Sequence, residues 1–247
     1  VELMLEIMNS RDKLAFTLAE VLITLGIIGV VAAITIPTLI AKTHSKQYTT
    51  SFKKSLSTLS NAARMSEAQF GYDFAGIDTL CNANSGSDHP ETKQTACALL
   101  NGTLKGAQYY YGLDKLGDYQ IESKFFDDTP SLRNFKNALP IYRLPDGQLL
   151  ILSSRIGEQG CENRSRITVN SDGEAHGTAC YGLIDVNGIS KPNREVTCAK
   201  GTLTYYVFDA KDCVVNDKTM GDIFPIAFYN NTVEPHSTAA WYVWRKK

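Results

Sequence analysis

From Phe16 to Ala41 the chain carries one ionisable side chain, Glu20, and from Val21 onward that stretch is wholly uncharged. As a helix, residues 21–41 reach roughly 32 Å at 1.5 Å per residue, enough to cross the hydrocarbon core of a bilayer. No polar stripe runs along it, which separates it from the core helix of a soluble protein. A carboxylate in such a run must lie at headgroup level, stay protonated or find a cation. The residues before it offer the cation. Arg11-Asp12-Lys13-Leu14-Ala15 is a short charged leader ending in a small residue. A secretory signal places its cut after the apolar region, whereas a cut after Ala15 falls before it. That cut would leave the apolar segment on the mature chain and create an α-amino group on Phe16. The new cation could pair with Glu20 of its own chain or of a neighbour.

The segment Ala15-Phe16-Thr17-Leu18-Ala19-Glu20, followed by the apolar run and Pro37, resembles the N-terminal methylation segment of type IV pilins and type II secretion pseudopilins. The resemblance implies that a prepilin peptidase cuts the Ala15–Phe16 bond and methylates the amine of Phe16. It implies that Glu20 is the assembly carboxylate that guides helices into a filament. Ala15 stands where that family usually has Gly, and is a small residue tolerated in such leaders. The implied partners are other pilin or pseudopilin subunits, the prepilin peptidase, an inner-membrane assembly platform and the lipid bilayer.

The elements that would position these groups follow from patterning. Residues 1–15 read as a cleaved leader, 16–41 as a transmembrane and assembly helix, 42–71 as its amphipathic continuation, and 72–247 as a globular head. In the continuation Phe52, Leu56, Leu59, Ala63 and Phe70 recur at helical spacing, with Lys46, Lys53, Lys54 and Arg64 on other faces, and Gly71 is a stop signal. Pro37 is expected to bend the helix inside the membrane.

Orientation rests on charge and cysteine. Arg11 and Lys13 favour a cytoplasmic N-terminus, while Lys42 and Lys46 argue the other way. All six cysteines lie beyond the apolar run, as Cys81, Cys97, Cys161, Cys180, Cys198 and Cys213. An even set without C-x₂₋₄-C pairs suits disulfides in an oxidising compartment, which places the head outside the cytoplasm. Of about fifteen possible connectivities, neighbour pairing (81–97, 161–180, 198–213) is the expectation. The chain is thus expected in the bacterial cytoplasmic membrane as a single-pass protein, and in a filament when assembled.

From Leu139 onward the pattern turns to strands. Ile141–Leu144, the turn Pro145-Asp146-Gly147 and Gln148–Ser153 read as a hairpin. Further strand candidates are Arg166–Val169, Tyr181–Val186, Leu203–Phe208 and Ile223–Tyr229, with Trp241–Trp244 as a strand or edge seal. Ser131–Leu139 could form a short helix. The expected fold is α+β and pilin-like: a long N-terminal helix, half transmembrane and half amphipathic, packed on an antiparallel sheet.

Other chemistry is thin. Asp185-Val186-Asn187-Gly188, Pro192-Asn193 and Gly221-Asp222-Ile223-Phe224 resemble a pattern of pilin-like heads, some of which bind calcium. Asp185, Asn187, Asn193 and Asp222 would supply the oxygens. The same residues are turn formers, and the terminal bidentate Glu of a calcium loop is absent. The four histidines, His44, His89, His176 and His236, lack ligand spacing and read as surface or loop residues. Tyr109-Tyr110-Tyr111 reads as core or subunit contact rather than a nucleic-acid platform, and the net charge of −1 likewise makes nucleic acid an unexpected partner. Asn101-Gly102-Thr103 matches a glycosylation acceptor. No nucleophile elbow, phosphate loop or dinucleotide fingerprint is present, so catalysis is not expected. The expected function is structural, with a membrane-tethered minor pilin acting in binding, adhesion or DNA uptake as the alternative.

Overall fold

The computed structural model describes residues 17–154, 156, 160, 161, 168, 169, 175, 176, 180–205 and 212–246. The leader, Ala15 and Phe16 lie outside the described residues. In chain order the elements are α1 (Leu18–Phe70), α2 (Ala96–Thr103), β1 (Gln108–Tyr111), α3 (Lys124–Asp128), α4 (Pro130–Arg133), β2 (Pro140–Arg143) and β3 (Leu149–Leu152). There follow β4 (Thr168–Val169), β5 (Ala175–His176), β6 (Tyr181–Asp185), β7 (Lys200–Gly201), β8 (Cys213–Val214), β9 (Ile223–Tyr229), β10 (Thr232–Pro235) and α5 (Thr238–Arg245).

Chain contacts divide the molecule into residues 1–43 and 44–247. In the first unit, α1 is long and apolar enough to cross a membrane. Its large side chains, Leu22, Ile27 and Ile34 among them, are exposed. Its threonines return their hydroxyls to the helix: Thr24 Oγ1 donates to Glu20 O, Thr35 Oγ1 to Val31 O and Thr43 Oγ1 to Leu39 O, each at 2.9 Å. Those hydroxyls carry no unmet hydrogen bond into an apolar surrounding. The helix continues through Pro37.

In the second unit, the rest of α1 buries Tyr48, Phe52, Leu56, Leu59, Ala62 and Ala63, a stripe at helical spacing. Gly71 ends the helix in a left-handed conformation (φ 79°) with its N–H on Glu67 O at 3.0 Å, a C-terminal turn that glycine adopts without a Cβ clash. The main sheet is antiparallel throughout, in the order β1-β2-β3-β6-β9-β10. Its central strands β3, β6 and β9 are buried along nearly their whole length because both faces are covered. In β3, Leu150 and Leu152 join the core containing Phe52 and Leu59, and Phe52 stacks on Phe224 at 4.1 Å between centroids. Leu149 and Ile151 join the opposite core with Phe125, Phe126 and Leu132 of α3 and α4. Period-two alternation delivers successive residues to opposite layers. The fold is therefore α+β with a pilin-like layout, as its patterning implies.

The β2–β3 hairpin closes through Gly147 (φ 88°), with Leu144 N donating to Gln148 O at 2.8 Å. Disulfides join Cys81 to Cys97, Cys161 to Cys180 and Cys198 to Cys213. Elsewhere the structure corrects the strand pattern. Trp241–Trp244 lies in α5, where the Ser237 hydroxyl accepts from Ala240 N and starts the helix. Ala239, Ala240 and Val243 then face the core, so capping and burial override the β-propensity of the aromatics. In the 203–208 stretch, Tyr205 forms an isolated bridge with Ser237, and residues 206–208 lie outside the described residues. Of 166–169, only Thr168 and Val169 are described, paired with β5 in a separate two-stranded sheet. The 131–139 helix is split into α4 and a 3-10 turn, Lys136–Ala138.

Candidate functional site

Glu20 lies at the start of α1 and is exposed. Thr17 N and Thr17 Oγ1 each donate to Glu20 Oε2 at 2.9 Å, and Glu20 N donates to Thr17 Oγ1 at 3.2 Å. This is a reciprocal capping box, in which a threonine and a glutamate three residues on satisfy each other's backbone donors. Thr17 is the residue that apolar patterning overlooks, although a T-x-x-E ahead of an apolar run carries the signal. The box aims Glu20 toward the N-terminal end of the helix, where the helix dipole favours a negative charge. Among the described residues, Glu20 Oε1 receives no hydrogen bond, so the carboxylate retains capacity for one further donor. Ala15 and Phe16, the residues of the expected processed bond, lie outside the described residues.

The second polar constellation lies at the ends of β6 and β9. Asp185 Oδ1 accepts from Asn187 N at 2.9 Å, and Oδ2 accepts from the Tyr119 hydroxyl at 2.7 Å. Asp222 Oδ2 accepts from Asn193 N at 3.0 Å, and Oδ1 from Arg194 N at 2.7 Å. Asn187 Nδ2 donates to the carbonyls of Ser190 and Lys191, both at 3.0 Å. Asp185, Asn187, Asn193 and Asp222 are therefore neighbours in space. Both aspartates are fully buried. Burial, then the charge of Asp222, pushes the Asp185 carboxyl up to about 8. Burial also raises Asp222, against the backbone N–H groups and the Asn187 side chain that favour its carboxylate.

Calcium needs six to eight oxygen ligands, several of them free carboxylate oxygens. Here all four carboxylate oxygens hold donors, and the buried Asn193 Oδ1 has no hydrogen-bond partner. Among the described residues no group of three or more acidic, histidine or cysteine side chains is placed to hold a metal. As folded, the four residues fit a clasp better than a calcium loop: they fasten the 187–194 segment to the strand ends through backbone N–H groups.

A third buried carboxylate, Glu195, extends this clasp. Its Oε2 accepts from Ser123 Oγ (2.8 Å), Phe125 N (3.1 Å) and the Tyr205 hydroxyl (3.2 Å), tying α3 to the sheet. Tyr119 and Glu195 carry no local sequence signal because their partners lie far along the chain. His236, expected at the surface or in a loop, lies in the loop between β10 and α5 and away from the surface. It is buried (1 % exposed), stacked on Tyr181 and edge-on to Phe125, and burial lowers its pKa to about 3. His44 and His89 are exposed, and the side chain of His176 lies outside the described residues. Tyr109 packs on Tyr142 and donates its hydroxyl to Asn82 O at 2.6 Å. Asn101 lies in α2 with its Nδ2 donating to Ser85 O and Asp88 O, both at 2.9 Å. The acceptor tripeptide is thus part of a helix whose amide is already engaged.

Residues 10–36 match the family model for the prokaryotic N-terminal methylation motif, the signal motif of type IV pilins and pseudopilins. No curated protein and no solved structure matches the chain.

Proposed function

We propose that this chain is a structural subunit of a type IV pilus-like or type II secretion pseudopilus filament. The observation that carries the reading is the methylation motif at residues 10–36, at the start of a helix whose large apolar side chains between Leu18 and Ile40 are exposed. A prepilin peptidase cuts after Ala15 and methylates the Phe16 amine. The mature chain then rests in the cytoplasmic membrane, its N-terminus on the cytoplasmic side and its head outside. Lipid covers residues 18–40 in that state. In the filament the same side chains pack on their counterparts in neighbouring subunits, so little apolar surface meets water in either state. Glu20, held by Thr17, offers its remaining capacity to the Phe16 amine of an adjacent subunit, a charge-assisted bond strengthened by the surrounding apolar medium. Assembly depends on the peptidase, on other subunits and on an inner-membrane platform.

Glu20→Ala tests this in cells that carry the peptidase and the assembly machinery. The variant is expected to reach the membrane at wild-type levels and to be absent from sheared filaments. Wild-type amounts of the variant in filaments would overturn the reading. Intact mass of the filament protein is a second check: the chain should begin at a methylated Phe16, and retention of residues 1–15 would overturn the processing step.

A further inference from the structure

In the unit of residues 44–247, a half-open cavity of about 320 Å³ lies where α1, the end of α2 and the β2–β3 turn meet. Leu104, Leu144 and Pro145 give it a mostly apolar lining, and Lys54, Thr58 and Lys105 stand on its walls. Lys54 pairs with Asp146 at 2.9 Å. Among the described residues Lys105 has no carboxylate partner. The cavity therefore suits an apolar side chain that brings an acid with it.

Such a side chain is present at the other end of α2. Leu80 is exposed, next to the exposed Asp78. It is held on both sides, by the Thr79–Thr95 bridge and by the Cys81–Cys97 disulfide at the first turn of α2. A side chain presented so rigidly loses little entropy on docking. Charge is distributed to match. Residues 44–63 carry Lys46, Lys53 and Lys54 and no acid, whereas between Arg64 and Lys93 the exposed acids are Glu67, Asp78 and Glu91, Asp88 being buried and paired with Lys93 at 2.6 Å. Lys46 and Glu67 are about 30 Å apart along the helix at 1.5 Å per residue, so the two fields lie at opposite ends of this part of α1.

We infer that this cavity receives Leu80 of a second copy of the chain, with Asp78 of that copy meeting Lys105. The contact joins the end of α2 in one copy to the beginning of α2 in the next. It is heterologous, and a heterologous contact whose rotation does not close generates a helical polymer. The inference rests on the filament reading and names a contact between heads within it.

Reciprocal charge reversal in the full-length chain tests it. Lys105→Glu and Asp78→Lys are each expected to lower sheared filament at least tenfold while membrane-bound subunit stays at its wild-type level. The double variant should recover at least half of the polymer, because the pair is restored with its signs exchanged. Thr58→Trp, which fills the cavity without changing charge, should lower polymer as strongly as either single variant. Wild-type polymer from both Lys105→Glu and Thr58→Trp would overturn the cavity assignment and leave the filament reading intact. Loss in the single variants without recovery in the double would overturn Leu80 and Asp78 as the occupant. Absence of polymer from the wild-type chain in the same cells would overturn the filament reading, and this contact with it.

Discussion

The Tyr119 hydroxyl donates to Asp185 Oδ2 at 2.7 Å across a sequence separation of 66 residues, inside a buried cluster that also holds Asp222. The two aspartates differ in what surrounds them. Asp222 faces backbone N–H groups, which can only donate and so suit a carboxylate. Tyr119 can donate or accept, so Asp185 is the member that can carry a proton, its own O–H then donating to the phenol oxygen. Two carboxylates this close and this buried do not readily ionise together.

A pH dependence follows, and its sign is fixed by the direction of the shift. The Asp185 carboxyl is raised from 3.8 to about 8 in the folded chain. The folded state therefore binds the proton more tightly than the unfolded state. The associated stability is complete below about pH 4 and is lost as pH rises toward 8. Asp185→Asn mimics the protonated acid in shape and hydrogen bonding. The wild-type melting temperature should fall between pH 5 and pH 9 more steeply than that of Asp185→Asn, and the variant should be the more stable of the two at pH 9. Parallel melting curves across that range would rule out a shared proton.

His236 works in the opposite sense. Burial lowers its pKa from 6.5 to about 3, so it is neutral in the fold at neutral pH, and the stability tied to that state is lost as pH falls from about 6.5 toward 3. Its ring protons should show no titration shift between pH 5 and pH 8 in an NMR series. A shift centred near 6.5 would place the ring in water.

The layer contact between α1 and the sheet gives a stability prediction. Phe52 and Phe224 are both fully buried and stack at 4.1 Å. Phe52→Ala removes that ring from the middle of the core and should cost about 3–5 kcal/mol. Phe52→Leu keeps most of the volume and should cost appreciably less. Denaturant unfolding of the detergent-solubilised chain, followed by tryptophan fluorescence, checks both values. Equal midpoints for wild type and Phe52→Ala would mean that α1 does not share the sheet's core.

These contacts differ in how far they could be read from sequence. The uncharged run of residues 21–41 is legible as a helix long and apolar enough to cross a membrane, and the Phe52–Leu56–Leu59 spacing and Gly71 carry the helix onward to its end. Pro145-Asp146-Gly147 marks the β2–β3 turn because only a few residue types take those backbone angles. The Trp241–Trp244 run misleads because aromatic and β-branched residues favour strands locally, while the deciding features are the Ser237 cap and burial of Val243. The Asp185–Tyr119, Asp222–Asn193 and Glu195–Ser123 bonds are formed by chain closure over long separations, and nothing near each residue announces its partner. His236 is buried for the same reason: Phe125 and Tyr181, which enclose it, come from distant segments.

The calcium reading of Asp185, Asn187, Asn193 and Asp222 yields the last prediction. To bind a divalent cation, the two aspartates would have to ionise together and redirect oxygens that now hold Asn187 N, Asn193 N, Arg194 N and the Tyr119 hydroxyl. Releasing those donors in a buried site costs about 1–3 kcal/mol each. Extracellular calcium sites of modest affinity bind in the range of about 10⁻⁴ to 10⁻³ M. One millimolar calcium would then raise the melting temperature only slightly if the site existed, by an amount that grows with each tenfold increase in the ion. The clasp predicts no such dependence: melting curves in EGTA, at one millimolar and at ten millimolar calcium should superimpose at pH 7, with magnesium as the ionic-strength control. A stepwise rise with calcium but not with magnesium, abolished by Asp222→Asn, would show that the strand ends open to take the ion and that the hydrogen-bonded cluster is its unloaded state.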